Sequence, residues 1–401
     1  DSSLTLAVRI LHRWRRMRCG GSAAAPCKKT SHPSHKSDTF SLWRKLNGKG
    51  NKMEEIITPE NGKLSSFKKI VFKTGLFVAI CFALRIVAAL LINGLYAFFD
   101  GVLSPTALYI LHLLLSALCL QIGPSLIGAG MFGFFGNKCE KLKAIYKIPS
   151  RCVKAVGNFA AVYGMGQIAN LLTMLVTILI TQFADLNDSF NTVTGIQPPD
   201  MASAWFLLFT LVVIAPVFEE FIFRGVLMDA LKPYGNGFAI FVTGLLFGLF
   251  HGNFNQLFYT AVIGIALGYI GNVTNSVFAT TIIHAMFNSI SGILLLLMTT
   301  PSVQEYVMSG NTDAIPDGDM IIIVFFGLFM VSALVLMLAG MVCAVMKIKQ
   351  IKKYKVPAVW NEISNGKKTA MLILTVPSVI AILLIIDTFA GFSDMLISKL
   401  F

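Results

Sequence analysis

MIIIVFFGLFMVSALVLMLAGMVCAVM, residues 320–346, runs for 27 residues without a charged side chain. A bilayer span needs about 20 consecutive apolar residues. In hydrocarbon every backbone N–H and C=O must be satisfied within the segment, which a helix alone achieves for a single run of this length. This stretch therefore reads as a transmembrane helix. Working outward by hydropathy and loop punctuation, eight further segments read the same way: 72–98, 105–134, 158–183, 202–227, 236–252, 255–271, 275–299 and 369–392. The expected fold is all-α, a polytopic transmembrane helical bundle of about nine spans. Composition agrees. The 401 residues are 55% hydrophobic and 13% charged, about half the charged fraction of a soluble domain. That balance excludes a soluble globular protein and a disordered chain. Seven cysteines without a C-x-x-C pair exclude a disulfide scaffold or a zinc ribbon.

The net charge of +13 sits mostly at one end. Residues 1–52 hold 12 Lys/Arg against Asp1 and Asp38, leaving 21 against 18 over residues 53–401. This basic, non-membrane arm has no apolar run of signal-peptide length. It reads either as a polybasic segment on anionic lipid heads or as sequence upstream of an ordinary start at Met53. Three regions follow it: 53–199, with three spans and their loops; 200–299, a core of four spans; and 300–401, a C-terminal pair of spans. Loops 137–157 and 347–368 are rich in lysine, whereas 184–201 and 300–319 carry acids and no base. The positive-inside rule then predicts that the residue-53 end is cytoplasmic and the C-terminus outside. Such a bias fits a bacterial cytoplasmic membrane.

Charge inside a span costs about 2.5–3.5 kcal/mol on the lenient insertion scales, yet three polar clusters interrupt one region: APVFEEFIFRG (215–225), LLFGLFHGNFNQ (245–256) and TTIIHAMFNSI (280–290). An aqueous cavity shared by three helices accounts for all of them. Glu220 and Arg224 are four apart, so they pair along one helix face. Glu219 lies about 100° around the helix and is left without a local partner, as a general base requires. Phe247 and His251 share a face, as do His284 and Asn288. Gly244, Gly248 and Gly252, with Gly264 and Gly268, repeat every four residues, the spacing of tightly packed membrane helices. Arg85, mid-span in the first helix, reads as a snorkelling or structurally paired residue outside this site.

Glu-Glu-x-x-x-Arg (219–224), Phe-x-x-x-His (247–251) and His-x-x-x-Asn (284–288), in this order on three membrane helices, resemble the CPBP family over residues 200–295. That family groups type II CAAX prenyl endopeptidases with bacteriocin-processing and immunity (Abi) proteins. The resemblance implies an intramembrane endopeptidase acting on a peptide precursor or membrane protein. Glu219 with His251 would activate water, His284 and Asn288 would stabilise the oxyanion, and Glu220, Arg224 and Phe247 would support the site. The expected partners are substrate and lipid, with no nucleic acid and no cofactor. Zinc held by Glu219, His251 and His284 is the alternative, against which stands the absence of an H-E-x-x-H helix. A non-enzymatic immunity or partner-binding protein of the same fold, and a transporter with an acidic proton site, are the competing functions. Intact motifs weigh against the first, and the absence of internal repeats against the second.

Overall fold

The computed structural model describes residues 59–99, 101–134, 146–148, 157–183, 197–312, 315–351 and 363–390. The basic arm and most of the loop residues used to orient the chain lie outside them. Every regular element among the described residues is helical. Helix α1 is Pro59–Phe99, α2 Pro105–Met131, α3 Phe159–Phe183, α4 Met201–Tyr234, α5 Asn236–Leu249, α6 Phe254–Thr274 and α7 Val277–Met298. A short α8, Pro301–Ser309, precedes α9, Met320–Ile351, and then α10, Asn365–Ile373, and α11, Val376–Ala390.

All nine predicted segments fall on helices, but two are not simple spans. Among the described residues seven helices are long and apolar enough to cross a membrane. The segment 236–252 becomes α5, of only 14 residues, about 21 Å at 1.5 Å per residue against a hydrocarbon core of about 30 Å. The segment 369–392 is broken into α10 and α11 by a 75° bend. Pro377 explains the break, because its ring removes an N–H and restricts Val376 before it. Thr375 caps the new helix by accepting from Ser378 N at 3.3 Å.

Close backbone packing holds α5 against α6. A Cβ on Gly244 would come within 2.8 Å of Ile265 N, and one on Gly248 within 2.5 Å of Leu257 O. Those positions admit only glycine, as the four-residue spacing predicts. Gly252 departs from that reading. It lies beyond α5 in the turn to α6, at φ +68°, where a Cβ would sit 2.4 Å from Arg85 Cζ. The same device joins α3 to α9, where a Cβ on Gly164 would lie 2.0 Å from the Gly340 carbonyl.

Two helices near the motifs change their winding. In α4, Thr210–Ile214 and Phe221–Leu227 are π-helical, and in α2 Leu118–Ile122 is. Such segments widen the helix by one residue per turn and re-aim the side chains that follow.

Candidate active site

Glu219 and Glu220 end the α-helical stretch between the two π segments of α4. They point in different directions, as their spacing requires. Glu220 is fully buried and its Oε1 lies 2.9 Å from Arg224 Nη1. Arg224, also buried, donates from Nη2 to Gly264 O at 3.0 Å. The guanidinium stands 4.6 Å from the centroid of the Phe247 ring. The predicted Glu220–Arg224 pair is therefore present, but it is not closed on itself. Glu220 Oε1 also receives His284 Nδ1 at 3.1 Å, so the carboxylate that braces Arg224 also orients the α7 histidine.

With Nδ1 committed to Glu220, His284 turns Nε2 toward Glu219, whose Oε2 is 3.8 Å away. His284 thus stands between the two carboxylates. Glu219 keeps 22% side-chain exposure and lines a cavity of about 60 Å³ together with His251 and Phe247. His251 donates from Nδ1 to Phe247 O at 2.8 Å, which leaves Nε2 as the acceptor nitrogen of a neutral ring. The Phe247 ring meets His251 and His284 edge-on, with centroids 5.1 and 5.5 Å apart. It is the apolar wall that both imidazoles share.

Asn288 lies one turn beyond His284 on α7, and one of its amide N–H groups is already used. Nδ2 donates to Leu211 O at 2.8 Å. The cause is local to α4. Pro216 has no N–H, and in the π winding of 210–214 the carbonyl five residues before it, that of Leu211, is left without a helical donor.

Arg85 takes the structurally paired alternative, and its partners are backbone carbonyls beside these residues. From α1 its Nη1 donates to Phe250 O at 3.1 Å and its Nη2 to His251 O at 3.2 Å. These carbonyls lie past the end of α5, where no helical donor follows. The cation satisfies them and suits the negative end of the helix dipole. Sequence reading missed this contact, because a backbone acceptor leaves no side-chain signature. It also missed Gln121, in the π segment of α2, and Ser125, which donates to Phe218 O at 3.0 Å. Gln121 lines the cavity with Glu219, and its only sequence signal is that it is the sole Asn or Gln in 105–134. A strap at 146–148 is tied to α7 by Ser276 Oγ, which donates to Lys147 O at 2.7 Å.

The zinc alternative requires Glu219, His251 and His284 to converge as ligands. Among the described residues no three His, Cys, Asp or Glu side chains do so. His284 instead donates from Nδ1 to Glu220 Oε1 at 3.1 Å, with Glu219 Oε2 standing 3.8 Å from Nε2.

The geometry joins all three motifs around one buried cluster. Residues 201–290 match the family model of type II CAAX prenyl endopeptidases, Rce1-like. The match covers α4 to most of α7, just under a quarter of the chain. It coincides with the segment that carries the three motifs. No curated protein and no solved structure matches the chain. The Rce1-like family is one of proteases, so its members act on peptide or protein substrates. Several spans long enough to cross a bilayer make this chain an integral membrane protein.

Proposed function

We propose that the chain is an intramembrane endopeptidase in which Glu219, aided by His251, activates water against a peptide bond. The observation that supports this reading is the division of labour between the two glutamates. Glu220 is buried and engaged by Arg224 and His284, whereas Glu219 opens onto the cavity that His251 also lines. A base must reach water; a brace must not. His251 Nε2, freed by the Nδ1 bond to Phe247 O, is left as an acceptor beside the same cavity. The oxyanion formed as the carbonyl becomes tetrahedral is assigned to His284, whose Nε2 must then carry a hydrogen as Nδ1 does, and to the second N–H of Asn288. No cofactor enters this chemistry. The substrate is a peptide precursor or membrane-protein segment, cleaved on the cytoplasmic side of a bacterial cytoplasmic membrane.

The test needs no prior substrate. New protein termini are mapped by mass spectrometry in membranes from cells expressing the wild-type chain or Glu219→Gln. Termini present only with the wild type are expected, and a peptide spanning one of them should be cut by the purified protein with or without a strong chelator. Glu219→Gln should cut it about 10²–10⁴-fold more slowly. If no terminus separates the two membranes, the proteolytic reading is wrong. Loss of cleavage on chelation, restored by zinc, would overturn its metal-free form.

A further inference from the structure

Gln121 Oε1 is buried with no hydrogen-bond partner, although the residue lines the cavity of Glu219 and His251. An amide carbonyl left so bears its full desolvation penalty, and an apolar residue of the same size would avoid it. The neighbouring groups are acceptors too. Glu219 is a carboxylate, His251 has given its Nδ1–H to Phe247 O, and Ser125 has given its hydroxyl hydrogen to Phe218 O. What completes such a set is a small molecule with more than one hydrogen to donate. The cavity measures about 60 Å³, and a water needs only about 10–15 Å³ of such space. A peptide backbone offers only one N–H per residue. A second cavity, of about 30 Å³, has Leu120, Pro124 and Phe250 in common with it and Arg85 in its wall.

We infer that this cavity is a hydration site and that Gln121 fixes the hydrolytic water in it. The inference rests on the reading of Glu219 as the base. The terminal torsion of a glutamine is soft, and a small turn aims a carbonyl lone pair into the cavity. The water then gives one hydrogen bond to Glu219 and the other to Gln121, which directs its free lone pair at the scissile carbon. In the reaction Glu219 takes the first proton, the water oxygen bonds to the carbon, and the carbonyl π electrons move onto its oxygen. Gln121 keeps its hydrogen bond throughout and exchanges no proton. The π winding of Leu118–Ile122 is what presents the amide at this point, as such segments often do at functional sites.

Two readouts test the role in the full-length protein. X-ray radiolytic labelling reports water held beside buried side chains, here Phe223, Phe247 and Phe250, and needs no substrate. These rings should be labelled in the wild type and much less so in Gln121→Leu, which should melt close to the wild type because leucine is of similar size and forfeits only a contact to water. On the peptide identified above, kcat should fall about 10- to 100-fold with KM unchanged, and Gln121→Asn should recover part of both signals. Absence of labelling in the wild type, or wild-type labelling and kcat in Gln121→Leu, overturns the inference. A rise in KM alone would make Gln121 a substrate contact and overturn it equally. If instead the wild type cleaves nothing while the labelling result holds, the base assignment fails and the hydration site stands.

Discussion

Replacing Glu220 by glutamine separates bracing from catalysis. In the wild type one carboxylate oxygen receives Arg224 Nη1 at 2.9 Å and His284 Nδ1 at 3.1 Å, with all three side chains almost fully buried. Glutamine keeps the size and one acceptor oxygen but removes the charge. Arg224 retains its bond to Gly264 O and its place over Phe247, neither of which neutralises a cation. Removing one partner of a buried pair costs about 3–5 kcal/mol. At about 2–4 °C per kcal/mol for domains of 150–250 residues, the melting temperature should drop by on the order of 10 °C. Glu219→Gln leaves no buried cation unpaired and should melt close to the wild type. The pair Glu220→Leu and Arg224→Met, which removes both charges, should regain most of the lost stability, since apolar replacement of a buried ion pair is often neutral or better. His284 would still lack its acceptor, so cleavage should stay low. Thermal unfolding in detergent and cleavage of one peptide, measured on all four proteins, decide the matter. If Glu220→Gln melts with the wild type and is inactive while Glu219→Gln cleaves normally, base and brace have been assigned the wrong way round.

Arg85→Leu should lower both the melting temperature and kcat, because it strips donors from Phe250 O and His251 O; charged hydrogen bonds contribute about 1.5–3 kcal/mol each. Arg85→Lys should restore part of the loss, and a wild-type kcat in Arg85→Leu would show that the α5–α6 turn holds His251 without it. Gly164→Val should prevent α3 from seating on α9, since its first added carbon already meets the Gly340 carbonyl. Low yield of monodisperse protein on size exclusion is the expected result, and a normal elution and melting profile would refute the backbone contact.

The spans were legible because a long uncharged run has few other physical solutions. Their irregularities were less so. A hydropathy window cannot tell the 14-residue α5 from a full span when the short turn at 250–253 is followed at once by the apolar α6. Nor does it register a π segment, which alters winding and not composition. Pro377 was a readable signal of the break between α10 and α11. Within the candidate site, the Glu220–Arg224 pair followed from spacing, being four residues apart on one helix. The bond from His284 to Glu220 spans 64 residues and depends on how α7 packs against α4, which no local spacing encodes. Gly252 looked like a helix-packing glycine and proved to make room for Arg85, a contact with a backbone turn.

The link from Pro216 through Leu211 O to Asn288 makes two distant positions depend on each other's history. An ordinary amino acid at 216 would return an N–H to compete for that carbonyl, and Asn288 would lose the acceptor that sets its aim. Proline at 216 and asparagine at 288 are then inherited best as a couple: a lineage that gave up the imino acid first would find the amide on α7 easier to replace. A single missing hydrogen on one helix thus sets the selection pressure on a side chain 72 positions further along the chain.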